Sequence, residues 1–244
     1  MKASKTAHPS LSMNKILEIG CGEGFNTFIL SRNNYAIGID ISEENLKIAA
    51  KRYPEIMFIR MDSEALAFNA DEFDEIHAMD VLEHVDNLEE VLSEIQRVLK
   101  QSGQVIANIP YWKSEAWLSK VRPTYRQEIH HVRIFQEDEL EDKLKLCKFK
   151  VINKYKAGFL SHIEFFFMLK RNIKSDTQLG IGNWRDNYAT AVLHITLLFF
   201  NPAVLRTPLR FFPIWLVTLP IGLVIDFFGN KYFPKSVSYK FVLQ

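Results

Sequence analysis

The stretch Glu18-Ile19-Gly20-Cys21-Gly22-Glu23-Gly24 decides how this chain is read. It closes the short apolar run Lys15–Ile19, which has the length and composition of a buried strand. Glycines at alternate positions let the backbone turn sharply and approach a ligand closely. Phe25–Arg32 then has helical character, and a helix start offers N–H groups to an anion. A dinucleotide site needs Gly-x-Gly-x-x-Gly. Here Phe25 occupies the third glycine position and glycine falls one residue earlier, at Gly24, which argues against a nicotinamide dinucleotide.

Outward from the loop, strands and helices alternate. Tyr35–Asp40 reads as a second strand. Ser42 is an N-cap with Glu43 and Glu44 in the first turn, and Pro54 stops that helix after Tyr53. Met57–Arg60 and Glu75–Ala78 read as strands three and four. Asn87–Lys100 places Leu88, Val91, Leu92, Ile95, Val98 and Leu99 at helical spacing, and Gly103 is expected to end it. Gln104–Ile109 is the fifth strand, closed by Pro110. Gln136–Leu146 reads as a helix, Lys148–Lys156 as the sixth strand, and Ser236–Leu243 as a last strand returning to the sheet. This predicts an α/β fold: a doubly wound, Rossmann-like sheet of seven, mostly parallel strands with helices on both faces. Ligands of such sheets bind beyond the carboxyl ends of the strands. Asp40, ending the second strand, could accept both hydroxyls of a ribose, and Asp62, after the third, could border a base.

These words together resemble the class I S-adenosylmethionine-dependent methyltransferases, nearest the branch of quinone-biosynthesis and lipid or small-molecule enzymes. The likeness rests on Ile16–Gly24, on Gly38-Ile39-Asp40-Ile41-Ser42, on Asp62–Phe68 with Phe73-Asp74, and on Asp80-Val81-Leu82-Glu83-His84-Val85. Ala67 stands where the family often has proline. The resemblance implies S-adenosylmethionine as cofactor. It implies that Glu18, Gly20, Cys21 and Gly22 line its methionine part and that Gly24 permits the turn. Asp40 would take the ribose hydroxyls, with Ile41 against the adenine. Asp62 and Ser63 would bind the adenine, and Asp80 and Val81 would face the sulfonium and the acceptor. His131, His84 and Asp80 are the candidate catalytic groups, His131 because relatives often carry a histidine between the fifth strand and the next helix. Asp80-x-x-Glu83-His84 also resembles a carboxylate–histidine cluster that quinone O-methyltransferases use for a divalent metal. Adjacent Glu83 and His84 converge only if the chain makes an irregular turn there, and no metal is expected.

The rest of the chain suggests where the acceptor comes from. Residues 1–150 carry a net charge of −6 and residues 151–244 one of +7. The sequence divides into a cofactor-binding core at 1–156, an apolar insert at 157–235, and the last strand at 236–244. Ala189–Phe200 and Phe211–Ile225 hold 12 and 15 residues, against about 20 for a membrane span, and Pro213 and Pro220 interrupt the second. Flanking Arg and Lys with Trp184, Trp215 and Tyr232 suit a monotopic anchor at an anionic surface. The alternative is a helical cap buried on the core or in a homodimer. About fifteen residues precede the first strand, so the insert is expected to supply the acceptor wall that N-terminal helices form in many relatives. Met1–Asn14 is polar and lacks the apolar segment of a secretory signal. Cys21 and Cys147 make neither a disulfide framework nor a zinc site. The expectation is a methyltransferase of an amphiphilic, lipid-like acceptor on the cytoplasmic side of a membrane. A soluble acceptor or a non-catalytic scaffold stands as the alternative, and nucleic acid is excluded by the acidic N-terminal half.

Overall fold

The computed structural model describes residues 13–157, 228–231 and 234–244. Most of the predicted insert, including both apolar segments, lies outside the described residues. The elements run β1 Lys15–Ile19, α1 Phe25–Ser31, β2 Tyr35–Asp40, α2 Glu43–Arg52, β3 Met57–Arg60, β4 Phe73–Met79 and α3 Leu88–Val98. They continue with β5 Leu99–Pro110, α4 Trp112–Val121, α5 Tyr125–Glu128, α6 Glu139–Leu146, β6 Phe149–Ala157 and β7 Ser236–Leu243.

The strands form one seven-stranded sheet in the order β3-β2-β1-β4-β5-β7-β6, in which only β7 runs antiparallel to its neighbours. Near-continuous burial along β1 and β2 is what a sheet covered on both faces demands. Helix α3 buries Leu88, Val91, Leu92, Ile95 and Val98, as its period predicts, each worth about 1.5–3 kcal/mol relative to exposure. Ser42 caps α2 by accepting from Asn45 N at 3.3 Å. In β7, Val237, Ser238, Tyr239 and Phe241 are buried.

Register brings every functional strand end to one edge. Ile19 aligns with Ile39 and Ala78, Ala78 with Ala107, Ala107 with Tyr239, and Tyr239 with Lys154. The loops after β1 to β5 therefore leave from the same edge. So does the chain after β6: Ala157 pairs with Ser236, and Lys235 N donates to Ala157 O at 2.9 Å. The segment between β6 and β7 thus departs from, and returns to, the carboxyl edge.

Two predicted boundaries are corrected. Helix α3 stops at Val98 rather than at Gly103, because Leu99 pairs with Phe73 and begins β5. Helix α6 starts at Glu139 rather than Gln136, since Asp138 has a φ of 64° and cannot sit inside a helix. Helices α4 and α5 were not foreseen. The buried residues of α4 include Ser114 and Glu115, which erase the apolar period that reveals a helix.

Gly24 shows how tightly the glycine loop is built. Its φ is +79°, and an added Cβ would lie 2.5 Å from Phe58 Cζ and 2.9 Å from Ala49 Cβ. Gly24→Ala should destabilise the protein by about 2–4 kcal/mol, combining a left-handed backbone with overpacking. Urea melts would show it as a lower midpoint at unchanged slope. An unshifted midpoint would mean that the loop relaxes freely.

Candidate active site

The glycine loop is fastened to the end of β2. Gly22 N donates to Asp40 Oδ2 at 2.8 Å, and Ser42 N donates to Oδ1 of the same carboxylate, also at 2.8 Å. Cys21 is buried and its N–H bonds Ile39 O at 2.9 Å. Burial, then Glu18 and Asp40, pushes the Cys21 thiol far up, so it stays protonated. Gly20 has a φ of +68°, and a Cβ there would fall 2.4 Å from Val81 Cγ2, so the loops after β1 and β4 touch through this glycine. Gly22 differs: no described residue lies within 4 Å of where its Cβ would be.

Glu18 is buried at the end of β1 and faces back into the protein. Its carboxylate accepts from Asn26 Nδ2 at 2.8 Å and from the Thr27 hydroxyl, which ties α1 to β1. Burial raises its pKa against those two donors. Ile41, by contrast, is 67% exposed. Asp62 lies beyond β3 and accepts from Glu64 N at 2.9 Å, which shapes the turn that carries the half-buried Ser63.

Asp80 stands at the tip of β4 with a φ of 55°. A non-glycine residue there needs support. Asn108 supplies it: its carbonyl accepts from Asp80 N at 3.0 Å, and its Nδ2 donates to Asp80 Oδ1 at 2.5 Å. Ser238 on β7 in turn donates to Asn108 Oδ1 at 2.8 Å. Three strands thereby aim one exposed carboxylate. Sequence reasoning passed over Asn108 and Ser238, although a polar residue near the end of the apolar strand Val105–Ile109 was a signal.

The two candidate histidines meet beside that carboxylate. The chain from Asp80 to Asn87 is an irregular turn, closed by His84 N donating to Val81 O at 2.9 Å, and α3 begins only at Leu88. His84 therefore lies in the turn, ahead of the helix. Val132 N and Arg133 N both donate to Glu83 O, at 3.0 and 3.2 Å, and draw the 130–133 segment onto the turn. The His84 and His131 rings then stand 4.7 Å apart and nearly perpendicular. His84 Nδ1 donates to His130 O at 3.0 Å, and burial lowers the His84 pKa. His131 Nδ1 lies 2.7 Å from Glu115 Oε2, and its Nε2 3.9 Å from Glu83 Oε1.

Glu83 is 1% exposed, and both its oxygens are buried without a hydrogen-bond partner among the described residues. Burial, then Asp80 and Glu115, holds its carboxyl well above the usual range. Glu83, His84 and His131 each offer a ligand atom within 4.8 Å of the others, a span that one divalent cation could bridge. Among the described residues the cluster joins Glu83 and His84 to His131, and not to Asp80 as the sequence spacing suggested. No described helix is long and apolar enough to cross a membrane.

Comparison with known proteins bears on this edge. The family profile described as a methyltransferase domain matches residues 17–107, from β1 into β5. The rat mitochondrial ubiquinone biosynthesis O-methyltransferase is 37% identical over 116 residues, covering 43% of this chain and 34% of that protein. A phosphatidylethanolamine N-methyltransferase of Cereibacter sphaeroides is 31% identical over 106 residues, covering 41% of this chain and 52% of its own length. The chain thus spans between a third and about half of these two relatives. A solved S-adenosylmethionine-dependent methyltransferase of Methanosarcina mazei shares the fold at a TM-score of 0.52 and 20% identity, over 60% of this chain and 85% of that one.

Proposed function

We propose that this chain, which carries an S-adenosylmethionine-dependent methyltransferase domain, transfers a methyl group to a lipid-like acceptor at a membrane surface. The carboxyl edge fits that cofactor. The space beside Gly22 that no described residue fills, an exposed Ile41 and the fixed carboxylate of Asp40 lie in sequence along β1 and β2. In this reading Gly20, Cys21 and Gly22 carry the methionine part, with Glu18 holding α1 in place behind them. Asp40 binds the ribose hydroxyls with its remaining lone pairs. Ile41 covers the adenine, and Asp62 and Ser63 bond its edge. Asp80 and Val81 border the reacting centre.

S-adenosylmethionine, when bound, supplies a methyl group on a cationic sulfur that departs as a neutral thioether. The protein orients the acceptor in line with that methyl and keeps water out. Where the acceptor is a hydroxyl or an ammonium, His131 Nε2 takes its proton. Asp80, aimed by Asn108, stabilises positive charge beside it.

One observation carries the lipid reading: the apolar insert is rooted at Ala157 and Lys235, on the edge where the cofactor loops lie. The basic charge of residues 151–244 suits an anionic leaflet. The two relatives named above, for a quinone and a phospholipid, point to the same substrate class.

The test uses the full chain. Labelled methyl from S-adenosylmethionine should enter the organic phase of a membrane lipid extract, and the protein should sediment with phosphatidylglycerol vesicles more than with phosphatidylcholine vesicles. Label confined to water-soluble products, with no vesicle binding, would replace the acceptor by a soluble molecule. Metal analysis of protein purified without a nickel column completes it. A stoichiometric divalent ion lost together with activity on chelation would put a metal at Glu83, His84 and His131 in place of the proton transfer.

A further inference from the structure

His131 stands between two buried carboxyl groups that come from different parts of the fold. Its Nε2 faces Glu83 of the turn after β4, and its Nδ1 faces Glu115 of α4. Glu115 is 3% exposed. Its other oxygen, Oε1, lies 2.7 Å from the hydroxyl of Tyr125 in α5. The Tyr125 hydroxyl donates to that oxygen, and burial first, then nearby carboxylates, pushes its pKa up, which keeps the O–H in place. Among the described residues each oxygen of Glu115 therefore has one partner, the Tyr125 O–H on Oε1 and His131 Nδ1 on Oε2. A neutral imidazole carries a single N–H, so a proton held on Nδ1 leaves the lone pair on Nε2.

We propose that Glu115 is a positioning residue: the chain Tyr125–Glu115–His131 fixes His131 as the Nδ1–H tautomer and turns its Nε2 lone pair away from α4, toward Glu83. This rests on the reading of His131 as the proton acceptor. The stations of the chain are rigid. Glu115 and Tyr125 are both buried. The His131 segment is held to Glu83 O by two backbone N–H groups. The buried carboxylate of Glu115 is thereby explained; without these two donors it would stand unpaired at the cost of its lost hydration.

The test reads the tautomer and the chemistry separately. In protein labelled with 15N-histidine and saturated with S-adenosylmethionine, His131 should show its N–H on Nδ1 and an unprotonated Nε2. Glu115→Gln keeps the shape but offers an amide N–H to Nδ1, so the N–H should move to Nε2. Methyl transfer into lipid extract should then fall about 10²-fold with cofactor affinity unchanged. Glu115→Asp, which keeps the carboxylate, should recover part of the rate, and Tyr125→Phe should lose less than Glu115→Gln. A wild-type N–H on Nε2, or a Glu115→Gln protein with unaltered spectrum and rate, would overturn the proposal. Full transfer by His131→Asn would remove His131 from the reaction and the role of Glu115 with it. That failure is told apart from the first because the spectrum needs no acceptor.

Discussion

Asp40→Ala should weaken S-adenosylmethionine binding by at least about 100-fold. Two effects add. In the proposed complex the carboxylate accepts from both ribose hydroxyls, and hydrogen bonds to a charged group are worth about 1.5–3 kcal/mol each. Losing two of them exceeds the 2.8 kcal/mol or so that corresponds to a factor of 100. The same oxygens also hold Gly22 N and Ser42 N at 2.8 Å, so alanine frees the loop that shapes the site. Asp40→Asn keeps the volume and one acceptor oxygen, and should lie between wild type and alanine. Isothermal calorimetry on folded protein measures both variants. A dissociation constant within twofold of wild type for Asp40→Ala would remove Asp40 from the cofactor site and leave it a strut between two loops.

His131→Asn should lower methyl transfer by about 10²–10⁴-fold, the usual worth of a positioned proton acceptor. Cofactor affinity should not change, because the partners of the His131 ring among the described residues are Glu83, His84, Glu115 and Tyr125, away from the glycine loop. Asparagine retains an N–H for Glu115, so the buried carboxylate keeps a donor and the protein should remain folded. The loss should appear in kcat rather than in KM. His84→Asn should cost less, since His84 Nδ1 is engaged by His130 O and the residue lies on the outer side of the pair. Equal, small losses in both variants would show that the acceptor needs no base, as for a thioether or tertiary amine nucleophile.

The fold and the glycine loop after its first strand were legible for one reason. Buried parallel strands are read as short apolar runs, and the residues after them sit at the carboxyl edge whatever the helices do. Lys15–Ile19, Tyr35–Asp40 and Met57–Arg60 were bounded correctly from sequence, and Ser42 was found as a cap because side-chain capping is local. The end of α3 was misread because pairing of Leu99 with Phe73, a contact distant in sequence, overrode what Gly103 signals locally. Helix α4 was missed because it turns Ser114 and Glu115 inward.

The sequence by itself determined the sheet, the glycine loop after its first strand and the acids at the strand ends, since these follow from periodicity and backbone freedom over a few neighbouring residues. Tertiary structure alone decided the chemistry beside Asp80. It brought His131 to Glu83 across 48 residues and to Glu115 across 16, and it rooted the apolar insert on the same edge. Which buried carboxylate meets which imidazole depends on how loops fold over a strand end. No local pattern encodes that, because the hydrogen bonds that settle it join segments with no common period.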